Sequence, residues 1–368
     1  MICKHFSICG SCNLYDIEYQ KALDIKKNRV SKLLEPFYSN NIDIFSSPMA
    51  NHRARAEFKI WHIDNSCYYA MSNITKDGIT ILNECPKVIK PIENIQYKLL
   101  KMINSSEILR KKLFSIEFLA GLSGEVLVTM IYHKVLDKEW EKEAKELEDS
   151  FGISIIGRAR KQKIVLSKEY ITEKVEVNNR SYIYKHYEGG FTQPNPYINQ
   201  KMISWALDIA NGEDDFLEAY CGLGNFTIPL STKFNKVLAT EISKNSIRAA
   251  KENCALNEVN NIEFIRMDAS DTADALNGKR AFRRLKDINL QAYNFSTILV
   301  DPPRAGLDEN SINLAKKIKN IIYISCNPET LARDLKELCQ THKVVRAAMF
   351  DQFPYTNHIE SGVYLERI

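Results

Sequence analysis

Short apolar runs alternate with amphipathic stretches throughout the second half of the chain, and this alternation restricts the fold more than any other feature. A helix is predicted soon after residue 187, with Met202 and Trp205 on its apolar face and Gly212 at its end. Apolar strands separated by helices are then predicted at 216–219, 237–240, 262–265, 297–300, 321–324, 344–349 and 362–365. This order favours an α/β fold, a Rossmann-like parallel sheet with helices on both faces.

A smaller module with a different pattern precedes the α/β half. A strand is predicted from about Arg53, because apolar and polar residues alternate there, and a helix is predicted around Trp140. Further strands are predicted at 113–119, 126–132, 154–156 and 163–166. This mixture of elements predicts an α+β domain.

The changes of pattern divide the chain into three predicted parts. Residues 1–48 form a cysteine-rich segment and a helix from about Tyr15 to Leu34. Residues 49–186 form the α+β domain, and residues 187–368 form the α/β domain.

Composition and charge exclude some classes of protein and leave others open. No apolar run is long enough to cross a bilayer, and the N-terminus lacks the apolar core of a signal peptide, so we expect a cytoplasmic protein. The net charge of +4 is too small to indicate nucleic-acid binding by itself. Two local basic clusters, at 158–163 and 279–286, would serve either as solvated faces or as phosphate contacts.

The loop after the first α/β strand has the character of a cofactor site. Gly222 and Gly224 let the backbone approach a ligand closely, although a lone Gly-x-Gly is weak evidence. Glu241 ends the next strand, where an acidic residue can accept hydrogen bonds from both ribose hydroxyls. The missing third glycine, and the acidic residue at the head of the loop, fit S-adenosylmethionine better than a dinucleotide. Glu241 would otherwise be a surface residue before a helix that Ser243 caps.

Three further positions bring reactive side chains to the same edge of the predicted sheet. Asp301 follows one strand, and Cys326 follows the next, just before a helix N-terminus that is expected to lower the pKa of its thiol. Glu360 precedes the last strand, and His358 beside it is a weaker candidate for a base. Alternatively, Cys326 is a structural cysteine, and Glu360 and His358 are solvated loop residues.

A cysteine and a base at one edge suit a particular chemistry. Carbon 5 of uracil is a poor nucleophile, but a thiolate that adds to carbon 6 produces an enolate that is nucleophilic at carbon 5. After methyl transfer, a base must remove the remaining proton on carbon 5 before the thiol leaves. Cys326 and Glu360 are therefore the candidates for these two roles.

At these residues the sequence resembles the RNA uracil-5-methyltransferase family, over nearly the whole chain from about residue 15. The motifs that carry the resemblance are Phe191-Thr192-Gln193-Pro194-Asn195, the loop 220–226, Asp301-Pro302-Pro303-Arg304-Ala305-Gly306-Leu307-Asp308, Ser325-Cys326-Asn327-Pro328-Glu329-Thr330-Leu331, and Asp351-Gln352-Phe353-Pro354-Tyr355. The resemblance implies an S-adenosylmethionine-dependent methyltransferase domain with a smaller RNA-binding domain. It implies that Cys326 is the nucleophile and Glu360 the base. The residues implied to contact S-adenosylmethionine are Gln193, Tyr220, Asn225, Glu241 and Asp301.

Within the family the sequence is most similar to the branch that acts on tRNA. The stretches 55–62, 131–134 and 277–280 support this assignment. The implied substrate is the T-loop uridine that becomes ribothymidine, so the implied partner is the tRNA T-arm, together with other RNAs that have a T-loop-like fold. The target base would flip out of its stack, and Arg53 and Arg55 of the α+β domain would grip the loop.

One feature departs from the tRNA branch. Cys3, Cys9, Cys12 and Cys85 resemble the iron–sulfur ligand pattern of family members that act on rRNA, and four thiolates suit a [4Fe–4S] cluster or zinc. They would otherwise be buried or vestigial cysteines. Two alternatives to a tRNA enzyme therefore stay open: a 23S rRNA uracil-5-methyltransferase, and an RNA-binding or folding factor that has lost catalysis.

Overall fold

A computed structural model describes all residues from Met1 to Ile368. It contains seventeen strands, which fall into one eight-stranded sheet, one seven-stranded sheet and a hairpin. The strands are β1 Asp43–Phe45, β2 Arg55–Ile63, β3 Ser66–Ser72, β4 Ile79–Ile81, β5 Leu113–Ala120, β6 Val126–Tyr132, β7 Ser154–Ala159, β8 Gln162–Val165, β9 Tyr170–Val177, β10 Arg180–Tyr187, β11 Asp215–Ala219, β12 Val237–Glu241, β13 Ile262–Arg266, β14 Phe295–Val300, β15 Asn320–Ser325, β16 His342–Phe350 and β17 Glu360–Arg367.

Ten α-helices connect and cover these strands. They are α1 Tyr19–Leu34, α2 Lys90–Ser105, α3 Glu107–Arg110, α4 Lys138–Phe151, α5 Pro196–Ile209, α6 Thr227–Leu230, α7 Lys244–Leu256, α8 Ala269–Leu276, α9 Glu309–Ala315 and α10 Pro328–Leu338. None of them combines the length and the apolar character needed to cross a membrane.

The eight-stranded sheet confirms the α/β prediction. Its strand order is β1-β16-β17-β15-β14-β11-β12-β13, and all neighbours run parallel except those of β17, which is antiparallel to both β15 and β16. Successive strands lead outward in one direction from β11 and in the other direction from β14. The carboxyl ends of these two strands therefore mark the switch point at which ligands bind in such sheets.

Hydrophobic residues cover both faces of this sheet, which is why its strands are apolar almost throughout. Phe216 belongs to a core cluster of 31 buried residues on one face, and the next residue, Leu217, belongs to a cluster of 28 on the other. This alternation follows from the two-residue period of a strand. Two filled faces make the strand ends a rigid support for side chains at the switch point.

Elements from outside residues 187–368 also join this core. Strand β1 pairs in parallel with β16, and α1 packs against α10, with Leu23 and Val30 in the second core cluster. The β9–β10 hairpin packs on α5 and α7 through Val175 and Tyr184. The three-part division drawn from the sequence is thus crossed by contacts at both of its boundaries, and it stays a prediction.

The smaller module is built on the seven-stranded sheet β4-β3-β2-β5-β6-β7-β8. Helices α2 and α4 cover one face and share a core of 27 buried residues with it, centred on Phe118 and Trp140. Strand β6 coincides with the predicted 126–132, and β5 extends the predicted 113–119 by one residue. The opposite face leaves several large side chains exposed, among them Trp61 and Phe114.

Candidate active site

A crevice of about 1270 Å³ opens at the carboxyl ends of β11 and β14. All seven residues that the sequence suggested for catalysis and cofactor binding line this one crevice: Gln193, Tyr220, Asn225, Glu241, Asp301, Cys326 and Glu360. His358 lies at the same rim. Side chains that are up to 167 positions apart in the sequence therefore face one cavity.

Strand pairing brings Cys326 and Glu360 together. Strands β15 and β17 are antiparallel, and Ser325 is paired with Ser361. Cys326 directly follows β15, and Glu360 precedes Ser361 on β17, so the two residues lie across from each other just beyond the last recorded pair, and the charge of Glu360 acts on Cys326. Directly opposed residues of antiparallel strands have Cα atoms about 4.5–5.5 Å apart. The thiol and the carboxyl group are thus neighbours on one wall of the crevice.

The thiol is less acidic than its position before a helix suggested. Burial raises the pKa of Cys326 to about 11, and the carboxylates of Glu360 and Asp301 act in the same direction. The nearby guanidinium of Arg304 opposes the rise in this pKa. The expectation that the N-terminus of α10 lowers the pKa is therefore wrong for the free protein. A helix dipole contributes roughly 0.3–1 kcal/mol at a surface site, which burial and two carboxylates outweigh.

Glu360 and Asp301 form a pair of carboxyl groups with little access to water. Burial and the charge of Asp301 raise the pKa of Glu360, while Arg304 opposes the rise. Burial also raises the pKa of Asp301 to about 7. Because two carboxylates at close range disfavour double ionisation, the pair retains a proton at neutral pH. This wall of the crevice can hold and exchange protons.

The glycine loop after β11 has the backbone conformation that a close approach to a ligand requires. Tyr220, Gly222 and Gly224 all have positive φ angles, of +64°, +56° and +88°. A side chain at Gly222 would meet no atom within 4 Å, so the residue is glycine because of its backbone angle. Glu241 holds the loop from the next strand, since one of its oxygens accepts a hydrogen bond from the Gly222 N–H at 3.2 Å and the other from the Ser243 N–H at 2.7 Å.

Two of the predicted cofactor residues are fixed by amide pairs. Asn225 and Asn199 donate to each other's side-chain oxygen, at 2.8 and 2.9 Å. The Gln193 side-chain oxygen accepts a hydrogen bond of 2.7 Å from Gln352. Reciprocal bonds of this kind lock side-chain rotamers, so these amides are preorganised in the crevice.

Three further residues also line the crevice: Glu218, which the sequence indicated only as the acidic residue at the head of the glycine loop, and Asp268 and Arg304, for which it predicted no role. Glu218 is the penultimate residue of β11 and is buried, with one carboxyl oxygen that has no hydrogen-bond partner. Burial raises its pKa to about 8. An unpartnered buried carboxyl group suits a ligand that carries a positive charge. The signal that could have found Asp268 is its place just after β13.

The N-terminal helix holds the loop that follows β16. Lys26 forms a fully buried ion pair with Asp351 at 2.6 Å and also donates to the Phe353 carbonyl at 2.9 Å. The Tyr19 hydroxyl donates to the second carboxylate oxygen of Asp351 at 2.7 Å. Since Gln352 lies between these anchors, helix α1 indirectly positions Gln193.

The arginines that were expected to grip RNA differ in their surroundings. Arg55 forms an ion pair with Glu117 and donates to the Gly190 carbonyl at 2.5 Å, so it ties the smaller module to the segment before Gln193. Arg53 is half-buried and has no carboxylate within 4 Å. The interpretation of Arg55 as a free RNA contact is therefore not supported.

The four N-terminal cysteines do not form a metal centre in this structure. Cys9 and Cys85 line one cavity, and electrostatic interactions relate Cys3 and Cys12 to them, so the four lie in one region. However, no group of three or more His, Cys, Asp or Glu side chains is arranged to hold a metal ion. A [4Fe–4S] cluster requires four convergent thiolates. The arrangement of these residues does not fit the predicted cluster.

Comparison with known proteins identifies the family. The sequence model described as tRNA (Uracil-5-)-methyltransferase matches residues 18–368, which is almost the entire chain. The chain belongs to the tRNA (uracil-5-)-methyltransferase family. The family assignment explains why the glycine loop, the Asp301 loop and the Cys326 loop occur together.

Curated relatives agree with this family. The chain is 57% identical to a tRNA/tmRNA (uracil-C(5))-methyltransferase of Sulfurovum sp. (strain NBC37-1), with full coverage of both chains. It is 46% identical to a protein of the same name from Acinetobacter baumannii (strain ACICU), over 95% of this chain and 99% of the other. The alignments thus span both the methyltransferase half and the smaller module.

A solved structure has the same fold. The Pyrococcus abyssi tRNA (uracil-54, C5)-methyltransferase, in complex with S-adenosyl-L-homocysteine, superposes with a TM-score of 0.75 at 23% identity. The match covers 96% of this chain and 85% of that one. The shared fold thus extends over nearly all of this chain.

Proposed function

We propose that this protein methylates carbon 5 of the uridine at position 54 in the T-loop of tRNA, with S-adenosylmethionine as methyl donor, through a covalent adduct of Cys326. The observation that carries the proposal is the strand register that sets Cys326 beside Glu360 in a crevice with Asp301. Family membership supports the reaction, and the shared fold with the P. abyssi tRNA (uracil-54, C5)-methyltransferase supports the position.

Several features of the crevice support S-adenosylmethionine as the cofactor. This cofactor carries a positively charged sulfonium and an ammonium group, which suit the unpartnered oxygen of Glu218. Glu241 retains lone pairs for ribose hydroxyls, since each of its oxygens accepts only one backbone hydrogen bond. Gln193, Tyr220, Asn225 and Asp301 are proposed to complete the site. When bound, the cofactor supplies an electrophilic methyl group.

The first proposed step is the addition of sulfur to the pyrimidine. The Cys326 thiolate bonds to carbon 6 of the uracil, and the electron pair of the 5,6 double bond moves to the carbonyl oxygen at carbon 4. Because the pKa of Cys326 is about 11 in the free protein, the thiol is protonated before RNA binds. The thiol is partly exposed, and it passes its proton to solvent water before the sulfur adds. Arg304 is the nearby cation whose charge favours the thiolate.

The second half of the proposed reaction depends on Glu360. Once carbon 5 has accepted the methyl group, its remaining proton must leave before the aromatic ring is restored. Glu360, as a carboxylate, takes this proton, the electron pair re-forms the 5,6 double bond, and Cys326 departs as a thiolate. Asp301 favours the protonated form of Glu360, which makes it a stronger base when it is ionised.

The smaller module offers a surface for the folded RNA. The exposed ring of Phe114 stacks on His133, with ring centroids 4.3 Å apart. The pair lies where β5 begins and β6 ends, in the middle of the seven-stranded sheet. Exposed aromatic rings stack on unpaired bases, and each such contact is worth about 1–3 kcal/mol. We therefore expect Phe114→Ala to raise the KM for T-arm RNA about tenfold with little change in kcat. Ile63→Ala, at another exposed apolar residue, is a control for loss of apolar surface alone.

Methyl transfer to defined RNAs tests the proposed function. Unmodified tRNA, an isolated T-arm hairpin and a 23S rRNA fragment are incubated with S-adenosylmethionine labelled in the methyl group. We expect 5-methyluridine at position 54 of the first two, and none in the rRNA fragment. Methylation of the rRNA alone would favour the rRNA alternative, and no methylation at all would favour a non-catalytic RNA-binding factor.

The covalent step has its own test. We expect Cys326→Ala to lower methyl transfer at least about a thousandfold, because the adduct cannot form. A T-arm with 5-fluorouridine at the target lacks the proton that the base removes, so it should trap wild-type protein as a band stable in denaturing gels. Cys254→Ala, at a buried cysteine away from the crevice, should behave like the wild type. Trapping of Cys326→Ala would exclude the adduct.

Two finer points belong to the same proposal. Because tRNA is the proposed substrate, the proposed compartment is the cytoplasm. The iron–sulfur cluster rests on cysteine spacing alone, and measuring iron and visible absorbance in anaerobically purified protein tests it. About four iron atoms per chain would establish a cluster, and an iron-free protein that is fully active would exclude a role for one.

A further inference from the structure

A second cavity lies beside the crevice, between the N-terminal segment, the smaller module and the loop after β16. Its volume is about 380 Å³. Five residues line both cavities and form the partition between them: Arg53, Pro194, Arg304, Phe353 and His358. A molecule bound in the crevice therefore has only side chains between it and this second cavity.

Three cations without carboxylate partners face the second cavity: Arg53, Lys87 and Arg304. The buried ammonium of Lys87 contacts only Ser11, through its hydroxyl at 2.7 Å and its carbonyl at 3.4 Å. Arg304 lies 3.4 Å from the His358 ring, and Arg53 makes no side-chain hydrogen bond. The only carboxylate in the lining is that of Glu57, which is exposed and forms no ion pair.

Several other partly buried cations have a carboxylate partner, and Arg110 and Lys134 donate to backbone carbonyls instead. Lys26 is paired with Asp351, Arg55 with Glu117, and Arg158 with Glu188. Leaving a buried or half-buried cation unpaired costs several kcal/mol in desolvation, so it is expected where a ligand supplies the missing charge. The lack of a charged partner at half-buried Arg53 and buried Lys87 points to an anion in the second cavity, which the exposed Arg304 also lines.

The positive charges around the cavity help to lower the pKa of the two histidines that line it, His52 and His358. Burial, Lys87 and Arg53 together lower the pKa of His52 to about 3. Burial, Arg304, Lys26 and Arg53 lower the pKa of His358. Both rings are therefore neutral at physiological pH, and they can donate or accept hydrogen bonds without adding charge.

We propose that this cavity binds one backbone phosphate of the substrate RNA, adjacent to the uridine whose base enters the crevice. The inference rests on the proposed function. A flipped nucleotide brings its flanking phosphates to the rim of the pocket that takes its base. A guanidinium group matches the geometry of phosphate oxygens through two parallel hydrogen bonds, and an ammonium group adds a compact charge. The site thus fixes the position of the target nucleotide rather than the identity of its base.

Neutral phosphate analogues test this inference directly. A set of T-arm hairpins is made, each with one uncharged methylphosphonate linkage at a position flanking the target uridine. Binding of each hairpin is measured by fluorescence anisotropy for wild type, Arg53→Met, Lys87→Met and Lys343→Met. Lys343 is an exposed, unpaired lysine at the start of β16, at the opposite edge of the sheet, so it is the matched control.

We expect the methylphosphonate to weaken binding strongly at only one of the tested linkages. For the wild type, its methylphosphonate should weaken binding about tenfold, as the loss of a charge-assisted contact implies. For Arg53→Met and Lys87→Met, binding of the unmodified hairpin should weaken by a similar factor, and the same methylphosphonate should add little. The slope of log affinity against log salt should fall by about 0.7 for each variant. Lys343→Met should match the wild type.

The outcomes separate this inference from the proposed function. If the wild type methylates the T-arm but no linkage shows coupling to Arg53 or Lys87, the phosphate site is wrong and the methyltransferase proposal stands. If the wild type does not methylate the T-arm, the proposed function fails first. A purely structural role would lower the melting temperature of both variants and leave each methylphosphonate penalty as it is in the wild type, which would also overturn the inference.

Discussion

Two buried acidic residues lie at the same end of the β16–β17 hairpin, yet their surroundings are opposite. Asp351 directly follows Phe350, the last residue of β16. Glu360 is the first residue of β17 and is paired with Phe350. Asp351 receives a proton donor on each oxygen, from Lys26 and Tyr19. Glu360 faces Asp301 and Cys326 instead, and its pKa is raised. The comparison teaches that one strand end can combine a neutralised pair that stabilises the fold with an unneutralised pair that is kept for chemistry.

The largest expected effect follows from removing the reactive carboxyl group. Glu360→Gln should lower kcat about a hundredfold to ten-thousandfold, because the proton on carbon 5 has no acceptor. A covalent complex that already carries the methyl group should accumulate and be visible in denaturing gels. The melting temperature at neutral pH should not fall, since an uncharged amide avoids the cost of burying the carboxylate.

Glu366→Gln, on the same strand at its other end, is the matched control and should leave both kcat and melting temperature unchanged. A Glu360→Gln protein that turns over at near wild-type rate would remove Glu360 from the mechanism.

Disrupting the Lys26–Asp351 pair should lower stability more than activity. Lys26→Met leaves Asp351 buried without its counter-charge, which should lower the free energy of unfolding by about 3–5 kcal/mol. Denaturant titration measures this value, and Lys27→Met on the exposed side of the same helix should change it by less than about 0.5 kcal/mol. Activity of the folded Lys26→Met protein should fall less than that of Glu360→Gln.

If Lys26→Met were as stable as the wild type, the claim that the Lys26–Asp351 pair stabilises the fold would be wrong. A protein that is equally destabilised by Lys27→Met would show that the loss belongs to the helix surface and not to the buried pair.

A third buried carboxyl group sharpens the comparison because it is far from the crevice. Burial raises the pKa of Glu173, on β9, to about 7 from an ordinary value of 4.5. The folded state therefore binds a proton more tightly than the unfolded state, and stability falls as pH rises from about 4.5 through 7. Glu173→Gln should remove this decline, which amounts to roughly 3 kcal/mol at 1.36 kcal/mol per pKa unit.

Chemical unfolding at several pH values measures the effect, with the exposed Glu176→Gln on the same strand as the control. Activity should not change, since Glu173 does not line the crevice. A slope that persists in Glu173→Gln would assign the pH dependence to other groups.

The sequence predicted those parts of the fold whose signals are local. Strand β6 was predicted with its observed bounds, because a continuous apolar run is bounded by polar turns. Strand β1 was missed, since three residues carry no periodicity and its partner β16 lies about 300 positions away. The β9–β10 hairpin was missed as well, because a buried Glu173 and an exposed Ile183 interrupt the alternation of polar and apolar residues that its burial pattern follows.

In the candidate site, the identities of the reactive residues could be predicted from local motifs, but their interactions could not. Cys326, Asp301 and Glu360 could be found because each stands at a strand end next to a recognisable motif. The pKa of Cys326 could not be inferred, since it depends first on burial and then on two carboxylates that only the folded chain brings near. Likewise, nothing near Lys26 in the sequence announces its pairing with Asp351, 325 positions later.

The pairing of β1 with β16 also bears on how the molecule is made. During synthesis, residues 43–45 leave the ribosome long before residues 348–350 exist to receive them. Until then the first strand has an unsatisfied edge, and helix α1 lacks the surface against which it packs. The catalytic sheet can therefore close only after nearly the whole polypeptide has been released, which predicts slow maturation and a need for protection of nascent chains.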